Sequence, residues 1–149
     1  MKVGIIGSGG REHSICESIK NSTKIKKIYC FPGNAGTENI AENVNINLEN
    51  FENIKNFILM NEIDLVIIGP ERPLVDGLVD YLENFNIKVF GPNKLASQLE
   101  GSKIFTKQIC RKFKIPTAQF DIFESLEEAK LFLEKTKYPI AILSDLGRL

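Results

Sequence analysis

Short apolar runs and longer amphipathic stretches take turns along the first ninety residues. The runs at 2–6, 27–30, 44–46, 65–68 and 88–90 have strand length and carry β-branched residues. The stretches between them space apolar residues as helices do. One helix is predicted over 11–21. Another covers 51–61, with Ile54, Phe57 and Ile58 on one face. A third carries Leu74, Leu78, Val79 and Leu82. The run 65–68 is apolar at every position, as in a parallel strand covered on both faces. Alternation of this kind predicts an α/β fold built on a doubly wound parallel sheet, Rossmann-like in layout.

From Lys94 the texture changes. Helical stretches at 94–99 and 102–112 end at Ile115-Pro116-Thr117. A strand is expected at 120–123, a helix at 126–135 and a last strand at 140–143. We place a domain boundary near Glu100-Gly101, giving domains 1–100 and 101–149. The second is too short for a core of its own. Leu126, Ala129, Leu131, Phe132 and Leu133 then lack partners, so exposed apolar surface and self-association are expected.

Composition narrows the function. The chain has 149 residues, with 19 basic and 19 acidic side chains. That balance gives no electrostatic case for nucleic acid or a membrane surface. No apolar run is long enough to span a bilayer, and no leader is expected before the first strand. Cys16, Cys30 and Cys110 lack metal or disulfide spacing and suit buried thiols in a reducing cytoplasm. With His13 the single histidine, a zinc site or a serine triad is not expected.

Candidate chemistry sits where strands end. In an open parallel sheet, ligands bind beyond the carboxyl ends of the strands. Three glycine-bearing segments fall there: 7–11, 32–37 and 69–73. Gly9 and Gly10 let backbone approach an anion at a helix start. Arg11 either grips a phosphate with both guanidinium arms or pairs at the surface with Glu12 or Asp121. His13 reads as a partly buried histidine beside a loop. Asn34, Gly36 and Thr37 offer an amide, backbone N–H groups and a hydroxyl to a sugar phosphate, or simply form a turn. Gly69, Pro70 and Glu71 place a carboxylate at the sheet's mouth, for ribose hydroxyls or an amine, or for the dipole of the next helix. The first loop departs from the dinucleotide fingerprint. Glu12 stands where a third glycine belongs, and the second strand ends Tyr29-Cys30-Phe31-Pro32 without an acid for a ribose.

Taken in order, these segments resemble the glycinamide ribonucleotide synthetase (phosphoribosylamine–glycine ligase) family. They are Ile6-Gly7-Ser8-Gly9-Gly10-Arg11-Glu12-His13 and Pro32-Gly33-Asn34-Ala35-Gly36-Thr37. Ile63-Asp64-Leu65, Gly69-Pro70-Glu71 and Pro73-Leu74-Val75 come next, then Phe90-Gly91-Pro92, Gln98-Leu99-Glu100-Gly101-Ser102-Lys103 and Ile115-Pro116-Thr117-Ala118. The likeness runs from Met1 to about Ile142. It implies an ATP-grasp ligase of purine synthesis that joins glycine to 5-phosphoribosylamine through a glycyl phosphate, with ATP and Mg2+ (or Mn2+). Its first domain, the pre-ATP-grasp unit, faces the phosphoribosylamine. The resemblance puts the start of the ATP-grasp part near Ser102 and a first ATP-phosphate contact on Lys103, which read alone is equally a solvated helix lysine.

The resemblance also exposes a departure. Leu143 stands where the family carries a second ATP-binding lysine, and Ser144-Asp145-Leu146-Gly147-Arg148-Leu149 stands in place of the family's glycine-rich continuation. The flap, the adenine pocket, the magnesium carboxylates and the glycine site are not in this sequence. The expectation is therefore an inactive N-terminal fragment with an incomplete ATP-grasp α+β part. Heavy use of Asn, Ile and Lys points to an A/T-rich gene, in which reading-frame slips are easy. The rival expectations are a stand-alone, non-catalytic phosphosugar- or nucleotide-binding module and a dehydrogenase domain.

Overall fold

Strand β1 (Lys2–Gly7) lies at the centre of a five-stranded, all-parallel sheet. Around it are β2 (Lys27–Pro32), β3 (Glu42–Asn43), β4 (Leu65–Ile68) and β5 (Val89–Phe90), in the order β3-β2-β1-β4-β5. A computed structural model describes residues 1–137 and 139–143. The chain divides within α5 (Lys94–Gly101) into two units, Met1–Ser97 and Gln98–Leu149.

Side chains alternate across a strand, so neighbours in sequence enter opposite layers. Ile5, Ile28 and Cys30 point to the layer covered by α1 (Gly10–Ile19), where Cys16 and Ile19 meet them. Ile6, Tyr29 and Phe31 point to the other layer, under α2 (Phe51–Met60) and α4 (Leu78–Glu83). There Phe57 stands edge-on to both Tyr29 and Phe31, with ring centroids 5.5 and 5.4 Å apart. Both faces of the sheet are therefore buried, and the doubly wound layout follows.

Three local expectations are corrected. The third strand pairs at Glu42–Asn43, ahead of the run 44–46. Val44 still donates to the Cys30 carbonyl at 2.8 Å, but Val44 and Ile46 serve the core rather than the ladder. The helix over 74–82 is two: α3 (Glu71–Asp76) and α4, broken at Gly77, whose φ of 98° suits glycine. The apolar spacing survives the break, because Leu74, Leu78, Val79 and Leu82 all stay buried. No strand forms over 120–123 or 140–143 among the described residues. An extended segment needs a neighbouring ladder to count as a strand. In place of one, Phe123 packs at a tilt against Phe132 of α7 (Leu126–Lys135), and Phe120 lies under the Arg111 guanidinium of α6 (Lys103–Phe113). Neither α6 nor α7 contains a buried residue.

Candidate functional site: a cleft at the carboxyl edge of the sheet

All five strands run the same way, so their carboxyl ends share one edge. The register aligns Gly7 with Pro32 and Ile6 with Ile68. At that edge the first unit holds a cleft of about 780 Å³. Its floor is the glycine loop, Gly7 to Gly10, with Arg11 and Glu12. One wall is Pro70 to Pro73 and Asp76; the other is Ile46 to Glu49.

Glu12 organises this floor. Its residue is 4% exposed, and its carboxylate turns back to accept the Gly9 N–H at 2.6 Å. The space it occupies exists because three neighbours lack side chains. A Cβ on Gly7 or Gly69 would lie 2.6 Å from the carboxyl carbon, and one on Gly9 would lie 2.9 Å from Oε2. Arg11, its neighbour in sequence, reaches the same place from outside and donates to the Gly69 carbonyl. One turn of α1 thus ties the exit loop of β1 to the exit loop of β4. Arg11 makes no ion pair with Glu12; in the second unit Asp121 faces Arg111 at 3.9 Å.

The second loop is a brace. Asn34 donates to the carbonyls of Ser8 and Gly9, at 2.9 and 3.4 Å. Its own side-chain oxygen accepts the N–H groups of Gly36 and Thr37. Thr37 is fully buried, and its hydroxyl donates to Asn43 Oδ1 at 2.7 Å. Gly36 makes room for the imidazole of His13, whose Nδ1 would lie 2.8 Å from a Cβ there. The polar groups read as offered to a sugar phosphate make these hydrogen bonds within the loop and to the glycine loop.

Of the sequence-predicted residues, Gly9, Gly10, Arg11, Pro70 and Glu71 line the cleft. Asn34, Gly36, Thr37 and Gly69 stand behind it and fix its shape. Lys103 opens α6 in the second unit, after the Ser102 cap that accepts the Phe105 N–H at 3.1 Å. Sequence reasoning misses the wall from Ile46 to Glu49 and Asp76, and it includes Arg72 in the 69–73 segment without singling it out. Arg72 and Asp76 do carry a signal, an i,i+4 opposite-charge pair behind Gly69-Pro70, and they bond at 2.7 Å. That bond, with Glu49 adding to it, raises the Arg72 pKa further. The 46–49 segment carries none beyond its turn-forming asparagine.

The cleft carries four carboxylates, Glu12, Glu49, Glu71 and Asp76, against the guanidinium groups of Arg11 and Arg72. Beneath α1, burial beside Cys30 pushes the Cys16 thiol up to about 12, and burial raises Cys30 as well. Neither thiol is an active nucleophile in this state.

Residues 1–100, the whole of this edge, match the family described as phosphoribosylglycinamide synthetase, N domain. The chain belongs to that family. It is 50% identical over 145 residues to a phosphoribosylamine–glycine ligase of Caldanaerobacter subterraneus, a match that covers 97% of this chain and 35% of that protein. The Clostridium acetobutylicum ligase of the same name is 44% identical over the same shares. The chain therefore spans about a third of the length of these relatives. Among solved structures, the Thermotoga maritima phosphoribosylamine–glycine ligase superposes with a TM-score of 0.68 at 31% identity, over 92% of this chain and 31% of that one. An N5-carboxyaminoimidazole ribonucleotide synthetase from Thermus thermophilus shares the fold, with a TM-score of 0.71 at 16% identity over 92% of this chain and 37% of that one.

Among the described residues, no group of three or more His, Cys, Asp or Glu side chains could hold a metal ion, and no helix is long and apolar enough to cross a membrane.

Proposed function

We propose that this chain is the phosphoribosylamine-side part of a cytoplasmic carbon–nitrogen ligase of purine biosynthesis. In that reading the complete enzyme joins glycine to 5-phosphoribosylamine, giving glycinamide ribonucleotide, ADP and phosphate, with ATP and magnesium. The observation that carries it is the cleft over the Glu12–Gly9 and Arg11–Gly69 ties, inside the segment that matches the family.

Gly9, Gly10, Arg11, Pro70 and Glu71 would meet the phosphoribosylamine. Arg11 is the natural phosphate contact, since a guanidinium held by one N–H keeps other donors for an anion. Asn34, Gly36, Thr37 and Gly69 would position it without touching it. Lys103 is the residue we assign to an ATP phosphate. In that reading glycine, metal and the rest of ATP would be held by other parts of the complete enzyme, so the chain alone is expected to give no turnover. A second reading, a non-catalytic phosphosugar-binding module, has in its favour the cleft itself, lined by the glycine loop and Arg11.

Thermal unfolding with ribose 5-phosphate, AMP and NAD tests the reading. The proposal expects a rise with ribose 5-phosphate that Arg11→Ala removes. A rise with NAD alone would overturn it.

A further inference from the structure

We propose that Glu12 is a specificity-determining residue: it is a built-in anion that closes the glycine loop to pyrophosphate, and so to dinucleotides. The strand order β3-β2-β1-β4-β5 and the β1–loop–α1 turn are those on which dinucleotides bind, with pyrophosphate taken by loop and helix-start N–H groups. Gly7 and Gly9 supply the first two glycines of that loop, and Glu12 stands at the third. Its carboxylate does not extend to solvent. It folds under the loop, takes the Gly9 N–H at 2.6 Å and fills the space framed by Gly7, Gly9 and Gly69.

A pyrophosphate arriving here loses a donor and meets a like charge a few ångströms away. Glu12 is itself only 4% exposed, so water screens its charge less than it would that of a surface carboxylate. Arg11, exposed beside the loop, donates to the Gly69 carbonyl and is suited to a lone phosphate. That role of Arg11 rests on the function proposed above. The exclusion of pyrophosphate rests on the loop geometry alone.

The test is calorimetric titration of the whole chain with inorganic pyrophosphate, for wild type, Glu12→Gly and Glu12→Gln, with circular dichroism as the check on folding. The glycine variant completes the three-glycine loop and empties the seat. The glutamine variant keeps an acceptor for the Gly9 N–H and removes only the charge, so it decides the matter should the glycine variant fail to fold. We expect negligible binding by wild type, a gain of about tenfold or more for Glu12→Gly, and a smaller gain for Glu12→Gln. Folded variants that bind pyrophosphate no better than wild type would overturn the proposal. Parallel titration with ribose 5-phosphate separates the two claims, because its failure would count against the proposed function while leaving a pyrophosphate gain intact.

Discussion

Gly69 is a glycine because of Glu12: a Cβ at residue 69 would sit 2.6 Å from the carboxyl carbon of residue 12. The two residues are far apart in sequence and belong to different β-α units. Gly69→Ala must therefore displace the carboxylate or the exit of β4. We expect a loss of about 1–3 kcal/mol, the usual range for overpacking. In the double variant Gly69→Ala/Glu12→Ala the penalty shrinks, leaving a coupling of about 1 kcal/mol or more between contacting residues. Urea unfolding of the four proteins measures it; strictly additive losses would show that the two side-chain positions do not compete.

Phe31 is fully buried, beneath α2 and against Phe57. Phe31→Ala should cost about 3–5 kcal/mol of stability, as large-to-small changes in packed cores do. A loss below about 1 kcal/mol in the same unfolding experiment would place Phe31 outside the core.

Alkaline pH should weaken the fold through its buried thiols. The folded Cys16 thiol titrates near 12 because burial disfavours the thiolate, against an ordinary value of 9.0. Between those pH values the unfolded chain loses a proton that the folded chain keeps. Stability is thus fully present below pH 9 and falls as pH rises toward 12, by up to about 1.4 kcal/mol per pH unit for this one thiol. Cys16→Val should flatten that part of the profile relative to wild type. Superimposable alkaline profiles would contradict the assignment.

Much of this is legible in the residues, and the failures have physical causes. Strand–helix alternation is enough to predict the sheet, because apolar period and length report burial directly. It misses the break at Gly77 because helical spacing runs through a left-handed glycine without a change of phase. It displaces β3, because Val44 and Ile46 carry the apolar signal while the ladder is made by Glu42 and Asn43. For the site, strand ends locate the three loops. Composition cannot say that Asn34 and Thr37 turn inward, since a polar side chain looks the same in sequence whether it meets a ligand or its own backbone. In the sequence Glu12 registers only as a missing glycine. What it does instead depends on Gly69, which no local pattern connects to it.

The second unit offers a further check. Phe113, Leu126 and Leu131 are exposed, and neither α6 nor α7 buries a residue among those described. We expect the isolated chain to associate with itself as concentration rises. Light scattering after gel filtration should show a mass that grows with loading, and Leu126→Glu with Leu131→Glu should reduce it. A monomer at every concentration would contradict this.

The central claim, that the cleft over Gly9–Arg11 and Pro70–Glu71 takes the phosphoribosyl group, is met most directly by NMR. Amide spectra of the 15N-labelled chain would be recorded during titration with ribose 5-phosphate. The account predicts saturable shifts centred on Gly9, Gly10, Arg11 and Glu71, smaller ones at Gly36 and Thr37, and their loss in Arg11→Ala. Shifts confined to residues outside this edge of the sheet, or none at saturating ligand, would contradict it.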